Sequence, residues 1–169
     1  MAGSEWIVAS NVPSTRHYLL PTSQISKIIM TLKLDTESLR YIAALENTTG
    51  AEVKDCIVDG NTIVYVIKQG NLGMAIGKGG ANIKKLTTAL GKKLHLVELH
   101  EDPVQFATNL LGGATAKSVT LKDDGQTKKI VIEADNKNRG TIVGKGGKNV
   151  EMIKSLLKRH HNVEDVVVR

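Results

Sequence analysis

Two stretches decide how this chain is read: Ile76-Gly77-Lys78-Gly79-Gly80-Ala81-Asn82-Ile83 and, 67 residues later, Val143-Gly144-Lys145-Gly146-Gly147-Lys148-Asn149-Val150. Each sets Gly-Lys-Gly-Gly between apolar residues. The likeness extends outward, because residues 62–90 align with 129–157 without a gap. Ten of the 29 pairs are identical, against roughly two expected at ordinary residue frequencies. Ile63/Ile130, Val64/Val131, Gly73/Gly140, Asn82/Asn149 and Leu90/Leu157 are among them. A unit that occurs twice points to tandem small domains, since a solenoid usually needs three or more repeats.

The elements around each tetrad follow from periodicity and punctuation. In the first copy Asp35 is a helix N-cap, Leu39, Ile42, Ala43 and Leu45 have helical spacing, and Gly50 stops the helix. Residues 52–58 and 61–67 flank Asp59-Gly60, a type I′ turn signal between β-branched runs, which predicts a hairpin. A short helix runs up to Ile76. A longer one starts in the tetrad, with Ile83, Leu86 and Leu90 on one face and Gly91 near its end. Leu94, Leu96 and Leu99 mark a last strand. The second copy repeats this order: Asp102 caps a helix with Pro103 at its first position and Gly112-Gly113 at its end. Strands at 116–122 and 128–134 flank Asp123-Asp124-Gly125. A short helix precedes the second tetrad, Val150, Ile153, Leu156 and Leu157 line the helix after it, and 163–168 is a strand. Each unit therefore reads α-β-β-α-α-β, an α+β fold with the tetrad between two helices.

Composition narrows the function. The chain has 169 residues, 41% hydrophobic and 24% charged, which suits one ordinary domain or two small ones and not a disordered chain. No apolar run approaches the ~18 residues of a membrane span, so no membrane role is expected. The lone Cys56 allows neither an internal disulfide nor a multi-cysteine zinc site, which fits a reducing, cytoplasmic setting. Aromatic residues are only 3%, too few for a strand-binding platform built by stacking. The net charge of +6 is concentrated: windows 78–93 and 137–159 hold twelve of the 23 Lys and Arg, and one acid, Glu151. Such local basicity marks either a polyanion-binding surface or two solvated helix faces.

A glycine-rich turn at a helix start lets a phosphate reach the backbone, where unpaired amides and the helix dipole favour an anion. Lys78 and Lys145 add a mobile charge there. A single such turn is equally well a plain helix corner. Nucleotide triphosphate binding fails on both copies. The P-loop's first glycine falls on Leu72 or Arg139, and its magnesium-binding hydroxyl on Gly79 or Gly146. No G-x-G-x-x-G follows a strand with an acid at dinucleotide spacing. No cofactor is expected, no metal-ligand pattern is evident, and catalysis is not expected.

On these residues the chain resembles the KH domain, whose I-G-x-x-G-x-x-I signature matches 76–83 and, with valines at its ends, 143–150. In that family the GXXG loop clamps the backbone of about four single-stranded nucleotides. The α-β-β-α-α-β order is similar to the type II form, and the chain stops before the extra strand and helix of type I. Tandem type II units resemble the RNA-binding part of the NusA family of transcription elongation and termination factors, in its short archaeal form, over roughly residues 30–169. Leu39-Arg40-Tyr41-Ile42 and Gly50 through Cys56 add to that likeness.

The resemblance implies KH units at 30–101 and 102–169, with an N-terminal extension at 1–29, for which Met30 is an alternative start. It implies single-stranded RNA as partner, with RNA polymerase beside it; a ribosome-assembly or translation role, with ribosomal components, is the rival. Gly77, Lys78, Gly79, Gly80 and Gly144, Lys145, Gly146, Gly147 would meet the sugar-phosphate backbone. Ile76, Ile83, Val143 and Val150 would floor the base groove, although Ile83 and Val150 equally suit helix-to-sheet packing. Lys84, Lys85, Arg139 and Lys148 would attract phosphates from the rim or simply be solvated. Asn82 and Asn149 would contact nucleic acid or brace the turn. His160-His161 is read as the end of a basic helix, and Cys56 as a small packed residue.

Overall fold

The computed structural model describes residues 36–169. The expected extension at 1–29, Met30 and the Asp35 cap lie outside the described residues. The first unit comprises α1 (Thr36–Thr49), β1 (Val53–Asp59), β2 (Thr62–Ile67), α2 (Leu72–Ile76), α3 (Ala81–Leu90) and β3 (Lys93–Glu98). The second comprises α4 (Pro103–Leu110), β4 (Ala116–Asp123), β5 (Lys128–Ala134), α5 (Asn136–Val143), α6 (Lys148–His161) and β6 (Val163–Val168). Both units thus have the order α-β-β-α-α-β. Each has a three-stranded sheet with the hairpin's second strand in the middle, antiparallel to the first and parallel to the last. No helix among the described residues is long and apolar enough to cross a membrane.

Local signals explain most of the element ends. Asp102 Oδ1 accepts from the Val104 amide at 3.0 Å and Pro103 opens α4, as a capped start requires. Gly91 ends α3 in the left-handed region, its amide on the Thr87 carbonyl at 2.9 Å. Asn162 does the same for α6 at φ 54°, the one positive φ of a non-glycine among the described residues.

Two expectations need correction. Leu39, placed on the core face of α1, is 52% exposed; Ser38 and Leu45 are buried and Tyr41 and Ile42 half-buried, so the inward stripe is displaced by one residue. The first hairpin pairs Asp59 with Thr62, leaving Gly60-Asn61 as its loop. Only Gly60 has a positive φ there, so the turn is not type I′, which needs two.

Packing couples the units. On one face of the first sheet Ile63, Tyr65 and Ile67 join Leu45, Ala75 and Leu86 in the first unit's own core. On the other face Val64, Val66 and Val97 join Phe106, Leu110, Ile130, Ile132, Ile153, Leu156 and Leu157 in one continuous cluster. The first sheet is therefore buried on both sides, and its back serves as a wall of the second unit's core. Full burial of a valine is worth roughly 1.5–3 kcal/mol, so three of them already hold the units together firmly.

Asp55, on β1 and only 2% exposed, adds direction to that contact. Arg159 Nη1 donates to both of its oxygens, at 3.0 and 3.1 Å, His160 Nε2 lies 3.2 Å from Oδ2, and the Cys56 amide donates to Oδ1. The His160 ring stands edge-on to Phe106, with centroids 5.7 Å apart. Burial by itself would raise the Asp55 carboxyl. The His160 hydrogen bond and the Arg159 charge outweigh it and hold the carboxyl below its ordinary value.

Replacing Arg159 with Met leaves a buried carboxylate short of partners. Because the arginine side chain is itself 30% exposed, the expected cost is about 2–4 kcal/mol, somewhat under that of a fully buried pair. A group with a depressed folded value stabilises above its unfolded pKa and loses that contribution as pH falls through the folded value. Urea unfolding of the wild type should therefore weaken below about pH 4, whereas R159M, whose Asp55 carboxyl is no longer held down by the arginine, should lose less on acidification, so the stability gap between the two proteins narrows as pH falls.

Candidate nucleic-acid interface

Each Gly-Lys-Gly-Gly tetrad forms one 3₁₀ turn between two helices, and the copies superpose angle for angle. Gly77 (φ 73°, ψ 170°) ends α2 with its amide on the Gly73 carbonyl; Gly144 (φ 74°, ψ 171°) ends α5 on the Gly140 carbonyl. That backbone region is essentially closed to side chains. The turn closes by Gly80 N–H donating to the Gly77 carbonyl at 3.1 Å and Gly147 N–H to the Gly144 carbonyl at 3.2 Å. Gly79 and Gly80, like Gly146 and Gly147, also have positive φ, which carries the chain tightly into the start of α3 and α6. The amides of Lys78, Gly79, Lys145 and Gly146 meet no backbone acceptor among the described residues. Unpaired donors at a helix start are suited to phosphate oxygens.

Asn82 and Asn149 brace this geometry. Asn82 Nδ2 donates to the Met74 carbonyl at 3.0 Å and Asn149 Nδ2 to the Thr141 carbonyl at 2.9 Å. Both side chains pack directly under the leading glycine, where a Cβ on Gly77 would lie 2.7 Å from Asn82 Cγ and one on Gly144 2.6 Å from Asn149 Cγ. Of the two roles open in the sequence, bracing is the one these contacts describe.

The apolar residues separate. Ile76, Ile83 and Val143 are half-buried beside the turns and belong to neither core cluster, which leaves them free to floor a groove. Val150 packs against the second core. Lys78, Lys84, Lys85, Arg139 and Lys145 are exposed or half-exposed and have no ion-pair partner among the described residues. Lys148 differs, its Nζ reaching Asp59 at the tip of the first hairpin at 3.3 Å. Lys92 Nζ donates to the Gly60 carbonyl of the same tip at 2.9 Å. The second turn is thus moored beside the hairpin of the first unit, a juxtaposition with no signal in the sequence.

Among the histidines, His160 belongs to the Asp55 cluster and His161 is half-buried against Phe106. Burial and the neighbouring His160 push the His161 imidazole down. No group of three or more His, Cys, Asp or Glu that could hold a metal occurs among the described residues. Cys56 is buried, as a small packed residue is.

This fold and turn define a protein with a KH domain: residues 38–105 match that family. The probable transcription termination protein NusA of Methanococcus vannielii is 36% identical over 139 residues, 82% of this chain and 80% of that one. The proteins of that name from Halobacterium salinarum and Methanocaldococcus jannaschii are 34% and 30% identical, over 81% of this chain and 98% and 75% of theirs. The crystal structure of APE1850 superposes with a TM-score of 0.63 at 36% identity, covering 80% of this chain and 99% of its own. The chain belongs to the NusA-like family of KH proteins.

Alanine at Gly77 must adopt a glycine-only conformation and displace Asn82, whereas alanine at Gly79 (φ 62°) meets open space. G77A should cost about 2–3 kcal/mol and G79A about 1 kcal/mol, the difference being read from urea unfolding of the two variants. An equal effect of the two would contradict the brace.

Proposed function

We propose that the protein binds single-stranded RNA through two type II KH units, 30–101 and 102–169, and acts as a NusA-like regulator of transcription elongation and termination on nascent RNA. The observation that carries this is the pair of matching amide-lined turns, each with one uncommitted lysine. They lie on a chain whose relatives bear the name of a transcription termination protein. The second unit lies mostly beyond the KH match. Its element order, sheet topology and turn dihedrals, repeating those of the first, support the same assignment.

The mechanism follows from the geometry. Phosphates meet the free amides of Lys78, Gly79, Lys145 and Gly146, with the two lysines adding charge. Ile76 and Ile83 in the first unit, and Val143 in the second, lie under the bases. Gly80 and Gly147 keep the turn narrow, and Lys84, Lys85, Arg139 and Lys148 raise the positive potential at the rim. Val150 acts by packing α6. At ~4 nucleotides per unit the pair covers ~8, and docking through a shared core makes the second binding event intramolecular. RNA polymerase is the protein partner this reading implies. The relatives' names point to a regulatory factor rather than an enzyme, and they favour transcription over a ribosome-assembly role.

The test is a titration of a fluorescently labelled single-stranded RNA. Lys78→Asp with Gly79→Asp, or Lys145→Asp with Gly146→Asp, should each weaken binding by at least tenfold, and all four together should abolish it. The log–log salt slope should become shallower by about 0.7 for each phosphate that a variant no longer neutralises. Unchanged affinity in the fully folded quadruple variant would refute the clamp.

A further inference from the structure

We propose that the crevice between the two units, beside the second glycine turn, is a subsite for one nucleobase of the bound strand, and that His95 is the residue that reads it. The inference rests on the RNA-binding reading above and goes beyond it by assigning a base-recognising position outside either turn.

The crevice has a volume of about 190 Å³ and is walled by His95 of β3, Leu111 beyond α4, Thr141 and Ile142 of α5, and Asn149 and Met152 of α6. Small-molecule sites usually occupy roughly 300–1,000 Å³, so this one suits a single flat ring system and not a whole nucleotide cofactor. Its position selects the occupant. Asn149 is at once a wall of the crevice and the brace under Gly144. A strand whose phosphates sit on the second turn therefore passes the mouth of the crevice. Lys148, next in sequence, and Lys92 bind the hairpin tip nearby, through Asp59 and the Gly60 carbonyl, and fix the wall of the crevice against the first unit.

Its chemistry also fits a base. The floor is aliphatic, and three polar groups at the rim have no committed partner among the described residues. The His95 ring makes no hydrogen bond there, and its nitrogens are not sealed from solvent. The Thr141 hydroxyl and Asn149 Oδ1 are likewise unbonded, since Asn149 commits only its Nδ2. An apolar pocket with a few convergent polar groups is how a small planar ligand is oriented, and unpaired bases of RNA stack on side chains that include histidine. Burial pushes the His95 imidazole below its ordinary value. At neutral pH the ring is thus uncharged, with one donor and one acceptor for a base edge. Its orientation is set in advance: a Cβ on Gly112 would lie 2.5 Å from His95 Nε2, so the absent side chain there is what lets the ring lie where it does.

The experiment uses the full chain and a randomised single-stranded RNA pool of about ten nucleotides, enough to span both units. Bound RNA is sequenced for the wild type, His95→Ala and His95→Phe. H95A should weaken binding about tenfold, the loss expected for one stacked base, and erase the base preference at one position. H95F, which keeps a flat ring but no nitrogens, should recover most of the affinity without the preference. If the wild type binds the pool and H95A binds with the same affinity and preferences, this subsite is overturned while the RNA-binding reading stands. If the wild type does not bind, both fall. Loss of stability in H95A is bypassed by following the wild-type His95 ring protons by NMR during titration. They must shift together with the Gly146 amide, and a shift of Gly146 alone would overturn the proposal.

Discussion

The back of the first sheet is the constraint on which the remaining architecture depends. Val64, Val66 and Val97 are buried against helices that belong to the second half of the chain, so the two units share a core rather than touching at a rim. Apolar contact alone is permissive about angle. The Asp55 carboxylate removes that freedom, because a buried charge is tolerated only where Arg159 and His160 reach it. The relative placement of the two glycine turns follows from that arrangement, together with the Lys148 to Asp59 contact on the exposed side. If both turns engage one strand, as proposed, a fixed spacing limits the entropy lost when the second engages.

The turns themselves show how little side-chain chemistry a phosphate clamp needs. Glycines supply backbone conformations that other residues reach only with strain, and an asparagine packed beneath holds the first of them in place. In the proposed binding mode, recognition is divided between a backbone that any sequence of RNA can satisfy and apolar residues under the bases. Most of the basic side chains around the turns lack partners among the described residues, which is how an electrostatic surface differs from a network of ion pairs. With aromatic residues scarce, the proposed subsite relies on a half-buried histidine at the junction of the units.

The repeat, the order of the elements, the capped start of α4 and the glycine turns were all legible in the residues. Each depends on short-range rules: periodicity, caps and backbone conformations reserved for glycine. Leu39 and Ser38 show where those rules fail. Hydrophobicity placed the leucine inward, yet the path of α1 across its sheet buries the serine, a matter of docking angle that helical spacing does not contain. The first hairpin's loop slid by one residue for a comparable reason, since strand register is chosen by the pairing of Asp59 with Thr62.

By itself, then, the sequence determined that there are two units of one kind, each with an anion-ready turn, because those features are written within a few residues of one another. Tertiary structure alone decided that Asp55 and Arg159 are partners and that His95 of the first unit lines a crevice with Thr141 and Asn149 of the second. Those contacts join residues up to 104 positions apart. Nothing in local chain chemistry brings them together, and only the burial of a common apolar core does so.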